Sequence, residues 1–276
     1  DETGKEIVRA ALQNDINFID TAYMYGPEKS EILIGEVLKE TGQRSNVVLA
    51  TKGGQKYMND KMEVDNSPKF LRETVENSLR RLQTDYIDLF YIHFPDEQTP
   101  KYEAVGELHR LKEEGKIRSI GVSNFSMDQL REGNKDGYIE VIQSGYNLFK
   151  RDAEDDLIPY SLENNISFIP YFPLASGLLT GKFSPNSTFE DGRAKNPLFQ
   201  GDAFIQNLNK VDELKAIANN KHVAVSNLVL AWYLKQESID VVIPGAKRPE
   251  QVLENIKTLE IELSKDEINK ISSIFH

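Results

Sequence analysis

Ile16-Asn17-Phe18-Ile19-Asp20-Thr21-Ala22-Tyr23-Met24-Tyr25-Gly26 decides the fold. Its apolar start reads as a short strand of a parallel sheet, covered on both faces and therefore apolar along its run. The strand ends abruptly in an acid, so Asp20 marks where the chain leaves the core. The turn that follows can bring the Tyr25 phenol back over the strand end. An acid and a phenol facing one pocket suggest proton transfer.

Outward from this stretch, the pattern repeats. Thr3-Gly4-Lys5-Glu6 reads as a capping box opening a helix to about Gln13, and Ser30 as the cap of a second helix that Gly42 ends. Further strands are expected at Asn46 to Lys52, Tyr86 to His93, Ser119 to Asn124, Val141 to about Asn147, Ile166 to Tyr171 and Asp240 to Pro244. Ser67-Pro68, Thr99-Pro100 and the box Ser126-Met127-Asp128-Gln129 open helices between them. A helix over about 153–164, two after residue 205, one from Pro249 and one capped by Ser264 complete the chain. The stretch 174–205, rich in Gly, Pro, Asn and Ser, is long enough to be functional rather than a plain connection.

Strands alternating with helices and no linker give a parallel sheet with helices outside, closed as a barrel or open and doubly wound. The count is seven strands, and a helix precedes the first. A (β/α)8 TIM barrel at roughly 30 residues per unit needs one more. The expectation is a single barrel domain over 1–276 that is N-terminally incomplete, its first strand and entry segment lying upstream.

Composition narrows the partners. Hydrophobic residues are 39% and charged residues 28% of the 276 residues, an ordinary globular balance. The net charge of −11 argues against nucleic acid and anionic membranes. No cysteine occurs, which removes disulfides and thiolate sites and suits a cytoplasmic setting. No apolar run approaches the ~18 residues of a membrane span.

Asp20, Lys52, His93, Ser123, Asn124, Gln143 and Tyr171 all fall at or near the carboxyl ends of expected strands. That face carries the active site in TIM barrels. A free phenol, titrating near ~10, donates a proton poorly at neutral pH; an adjacent ammonium eases donation to a developing alkoxide, a carboxylate orients the ammonium, and an imidazole can bond the same substrate oxygen. The set suits hydride addition to a carbonyl. Each member alone has a plainer reading: a turn cap for Asp20, a solvated cation for Lys52, a core histidine for His93, packing for Tyr25. Their convergence favours chemistry. Four histidines in total and no paired His motif argue against a metal site.

The sequence resembles the aldo-keto reductases. Asn17-Phe18-Ile19-Asp20-Thr21-Ala22, Tyr25-Gly26, Ser30-Glu31 and Ile34-Gly35-Glu36 are similar to that family's first signature. The likeness continues through Ala50-Thr51-Lys52, Asp88-Leu89, Tyr91-Ile92-His93, Gly121-Val122-Ser123-Asn124-Phe125, Gln143, Tyr146-Asn147, the run Pro173 to Leu179 with Gly181-Lys182, and Ile243-Pro244-Gly245-Ala246. Within the family it most resembles the bacterial IolS-like oxidoreductases.

The resemblance implies a catalytic tetrad: Tyr25 as general acid, Lys52 and Asp20 as the pair assisting it, and His93 orienting the carbonyl. It implies NADP(H) as cofactor. Ser123, Asn124 and Gln143 would hold the nicotinamide carboxamide, Tyr171 would stack on the ring, and Leu174, Ser176, Gly177 and Lys182 would clasp the pyrophosphate. Gly245, Lys247, Arg248, Gln251, Glu254 and Asn255 would take the adenosine end, the paired cations favouring a 2′-phosphate and so NADPH over NADH. Without a G-x-G-x-x-G the cofactor assignment rests on the resemblance, not on a Rossmann motif. Phe94 stands where many relatives have tryptophan, and the chain ends at His276 without the long C-terminal substrate loop of many relatives, so an open pocket and broad aldehyde use are expected. The implied activity is NADPH-dependent reduction of aldehydes and some ketones by a protein for which a monomer is plausible. The alternative is a regulatory or sensor subunit of the same fold that binds nucleotide and turns over slowly.

Overall fold

The computed structural model describes residues 1–58 and 61–276. The first elements are α1 (Glu2–Gln13), β1 (Phe18–Asp20), α2 (Lys29–Thr41), β2 (Val48–Gly53), β3 (Gln55–Met58), β4 (Lys61–Val64) and α3 (Pro68–Leu82). Then come β5 (Ile87–Ile92), α4 (Lys101–Glu113), β6 (Ile117–Ser123), α5 (Met127–Gly133), β7 (Val141–Gly145), α6 (Leu157–Glu163) and β8 (Ser167–Tyr171). The last helices are α7 (Gly201–Asn220), α8 (Val225–Tyr233), α9 (Pro249–Ile256) and α10 (Lys265–Ile274).

Two compact units form: Asp1–Ser144 with Glu154–Ile169 and Gly245–Leu253, and Gly145–Ala153 with Pro170–Pro244 and Glu254–His276. In the sheet the order is β1-β2-β5-β6-β7-β8, and the pairs from β1 to β7 are parallel. Leu49 to Gly53 of β2 and Leu89 to Ile92 of β5 are buried without interruption, as strands covered on both faces require. In the first unit α3 buries Leu71, Val75 and Leu82, and α4 buries Ala104, Val105, Leu108 and Leu111, one apolar stripe each. In the second unit α7 buries Phe204, Leu208, Val211 and Leu214, while α8 is buried from Asn227 through Tyr233.

The boundaries follow local chemistry more often than not. Gly42 closes α2 at φ +65°, and the capping boxes at Ser126 and Ser264 are both formed. Thr3 is no cap, because α1 already begins at Glu2. Nor is Ser30: α2 starts one residue before it, and its hydroxyl accepts a 2.8 Å hydrogen bond from Thr21. The helix expected over 153–164 divides into a short 3-10 turn, Asp152–Glu154, and α6.

The sheet differs from expectation in two places. The antiparallel hairpin β3–β4 follows β2 directly, where no strand was expected. Conversely, Asp240 to Pro244 forms no strand. A strand is defined by its ladder, and among the described residues no backbone hydrogen bond joins 240–246 to another segment.

Candidate active site

The register of β1 and β2 extends past the strand end and fixes the turn that carries the phenol. Thr21 N donates to Ala50 O at 2.9 Å and Tyr23 N to Lys52 O at 3.1 Å. Gly26 then takes the left-handed φ of +63° that turns the chain into α2. The Tyr25 hydroxyl is thereby 3.4 Å from Lys52 Nζ, which also donates to Asp20 Oδ1 and, at 3.0 Å, to the Thr21 carbonyl. Lys52 is fully buried and Tyr25 is 45% exposed, so the ammonium reaches the phenol from the core while the phenol faces solvent.

His93 continues β5, its N–H donating to Gly53 O at 3.0 Å. Its ring meets Tyr25 edge-on, centroids 6.2 Å apart, and stacks on Phe94 at 4.8 Å. Burial, with the nearby Lys52 ammonium adding, lowers its pKa to about 4. The imidazole is therefore neutral at neutral pH, with one nitrogen able to donate and one to accept. Its Nδ1 is buried without a hydrogen-bond partner among the described residues.

Ser123 and Gln143, paired in register, are buried beside this cluster's strands. Asn124 sits at φ +61° and its Nδ2 donates to His93 O at 3.0 Å and to Ser123 Oγ at 3.1 Å. Gln143 Nε2 donates to Asp20 Oδ2 at 2.8 Å, so both oxygens of that carboxylate are engaged. The structure thus brings Asp20, Tyr25, Lys52 and His93 together with Ser123, Asn124 and Gln143. Sequence reasoning missed the Gln143–Asp20 bond, the Thr21 carbonyl and the buried Tyr91, whose ring lies 5.6 Å from Lys52 Nζ. Tyr91 was findable: it precedes His93, which continues β5, by two residues and so shares its face.

In the second unit, Tyr171 packs against Gly145; a Cβ there would come within 3.1–3.2 Å of its ring and hydroxyl. Beyond it Phe172, Ala175, Ser176 and Gly177 all have positive φ, from +46° to +92°. Gly177 packs against the Lys182 ammonium, and Leu174 O accepts from Gly177 N at 2.9 Å. Gly245, Lys247, Arg248 and Gln251 belong to the first unit, at the start of α9, where Gln251 Oε1 accepts from Lys247 N at 2.7 Å. Glu254 and Asn255 belong to the second, and Glu254 pairs with Lys257. No group of three or more His, Asp or Glu placed for a metal ion occurs among the described residues, and no described helix is long and apolar enough to cross a membrane.

A parallel sheet with helices between its strands and acid–base groups collected where the strands end fits the (β/α)8 barrel class of α/β proteins. The chain belongs to the aldo/keto reductase family, whose sequence model matches residues 1–275. It is 40% identical over 255 residues to the aldo-keto reductase YhdN of Bacillus subtilis (strain 168), covering 91% of this chain and 77% of that one. It is 36% identical over 262 residues to the NADH-specific methylglyoxal reductase of Escherichia coli (strain K12), covering 90% and 80%. Among solved structures, the glycerol dehydrogenase AKR11B4 from Gluconobacter oxydans matches with a TM-score of 0.94 at 36% identity, covering 99% of this chain and 85% of that one. An aldo/keto reductase from Klebsiella pneumoniae in complex with NADP and acetate matches with a TM-score of 0.75 at 28% identity, covering 99% and 86%. The expected fold class is borne out.

Proposed function

We propose that the chain reduces aldehydes and some ketones with NADPH, Tyr25 serving as general acid. The observation that carries this reading is the buried Lys52 ammonium, paired with Asp20 and 3.4 Å from the Tyr25 hydroxyl. Charge held there favours the phenolate left when the proton passes to a carbonyl oxygen. Neutral His93 offers that oxygen a hydrogen-bond donor without competing as a proton source.

The residues fit the cofactor. Tyr171 presents a ring seated on Gly145, a seat any larger residue would fill. The left-handed run through Gly177 allows close backbone approach of a phosphate, with the Lys182 ammonium beside it. When bound, the nicotinamide supplies the hydride. Ser123, Asn124 and Gln143 would hold its carboxamide, Leu174 and Ser176 would join Gly177 and Lys182 on the pyrophosphate, and Gly245, Gln251, Glu254 and Asn255 would take the adenosine. The Escherichia coli relative is named for NADH, the Klebsiella structure for NADP. Lys247 and Arg248, immediately before Pro249 of α9, favour the 2′-phosphate and so NADPH.

Tyr25→Phe should lower kcat by roughly 10²–10⁴-fold and leave the NADPH dissociation constant within about twofold. Unchanged turnover would remove the general-acid assignment. Replacing Lys247 and Arg248 together by Ala should weaken NADPH binding by roughly tenfold or more, with NADH little affected. Equal loss for both cofactors would remove the case for the phosphate.

A further inference from the structure

We propose that Tyr91 is a positioning residue for Lys52: its buried ring is the inner wall that keeps the lysine ammonium against Tyr25. The inference rests on the reductase reading and adds a residue to it.

Lys52, Tyr91 and Gly121 occupy one rung of the sheet, paired in register across β2, β5 and β6. Gly121 makes room for the ring. A Cβ at that position would lie 2.3 Å from Tyr91 Cδ1 and 2.6 Å from Cε1, so the ring rests directly on the glycine backbone. Lys52 Nζ is 5.6 Å from the Tyr91 ring centroid and 5.1 Å from that of Tyr25. The cation is set among two aromatic rings, a carboxylate and a main-chain carbonyl.

An ammonium has three protons. Asp20 Oδ1, Thr21 O and Tyr25 OH accept all three. Whatever covers the rest of the cation should attract it without accepting a hydrogen bond, and should exclude water. An aromatic ring does both. The 3.4 Å bond to Tyr25 is the longest of the three, so it is the first lost if Nζ retreats inward. Removing the ring opens the space into which it would retreat.

The hydroxyl of Tyr91 contributes nothing to this. It is buried, and Gln143 is the side chain placed nearest to bond it, though outside ordinary hydrogen-bond geometry. The groups that face it are Asp20 from β1, Tyr25 from the turn, Lys52 from β2 and Gln143 from β7. Burial foremost, with Asp20 and Tyr25 adding and Gln143 opposing, pushes the phenol well above its ordinary value. Tyr91 stays neutral and moves no proton.

The test compares Tyr91→Met, Tyr91→Leu and Tyr91→Phe with wild type in full-length protein, reading kcat and KM against pH for an aldehyde that wild type reduces, NADPH affinity by fluorescence, and thermal unfolding. Met and Leu should lower kcat roughly three- to thirtyfold and displace the alkaline limb of its pH profile, with KM and NADPH affinity within about twofold. Phe should match wild type in rate and pH profile and fold as wild type does. A wild-type rate and pH profile in a folded Met or Leu variant overturns the proposal. So does impairment of Tyr91→Phe, which keeps the ring and folds whatever the smaller variants do. Failure of wild type to turn over any carbonyl would sink the reductase reading instead, a distinguishable result.

Discussion

The cluster where β1, β2 and β5 end and the stretch from Phe172 to Phe204 are held in place by opposite means. The first is set by strand register: once β1 pairs with β2 and β2 with β5, Asp20, Lys52 and Tyr91 have fixed heights. The second has no ladder. Its backbone takes left-handed torsions at Phe172, Ala175 and Ser176, each costing about 1–3 kcal/mol for a residue other than glycine. Side chains hold that conformation: Tyr233 Oη donates to Pro173 O at 2.9 Å, and Asn147 Nδ2 to Phe172 O at 3.4 Å. Farther on, Phe183, Phe189, Phe199 and Phe204 pack on one another with centroids 5.0–6.0 Å apart. Arg193 covers Phe183 and Phe189 with its guanidinium. Regular pairing makes one region; a knot of rings makes the other.

Phe199→Ala should separate the two most strongly. Phe199 is buried at the centre of the rings, and the truncation should cost about 3–5 kcal/mol. Amide exchange should accelerate over 183–204 while β1, β2 and β5 keep wild-type rates. Uniform acceleration would show that the loop and the sheet unfold together and erase the distinction.

His93→Gln probes the other region through pH. A histidine whose folded pKa is depressed from 6.5 to about 4 takes up its proton more readily when unfolded. The unfolded chain therefore binds the extra proton between those values, and stability falls as pH drops from 6.5 to 4, by about 3 kcal/mol from this group. Denaturant unfolding of the variant should lose that much less over the interval. An identical pH dependence in both proteins would mean that His93 is not held neutral by its surroundings.

The smallest effect is expected at Gly145→Ala. The added methyl would press on Tyr171 at 3.1–3.2 Å and shift the ring by a few tenths of an ångström. NADPH affinity should fall roughly threefold to tenfold, for a ring contact of about 0.5–1.5 kcal/mol, with little change in melting temperature. Undiminished affinity would argue that the seat under Tyr171 is not used.

The sequence disclosed the register-built region well, because a buried strand advertises its own end. Asp20, Lys52 and His93 were legible as polar residues closing apolar runs, and Tyr25 through its distance from Asp20. What escaped notice was lateral. Nothing in the spacing says that Gln143 reaches across to Asp20, or that Gly121 leaves a space for Tyr91, because the first needs β7 brought across to β1 and the second needs β5 and β6 made neighbours. The hairpin β3–β4 was hidden by its exposed, mixed-polarity strands, which carry no buried run. Asp240 to Pro244 misled in the reverse sense: an apolar β-branched run gives propensity, but a strand also needs a partner. Around 183–204 only a general sense of a functional loop was available, since ring–ring contacts among four phenylalanines follow no period.

Lys52 is sealed from water, yet 45% of the surface of Tyr25 is open to it. A phenol at such a border needs no internal wire of side chains to be recharged. In the proposed reaction each proton that Tyr25 would hand over could be replaced straight from the bulk liquid.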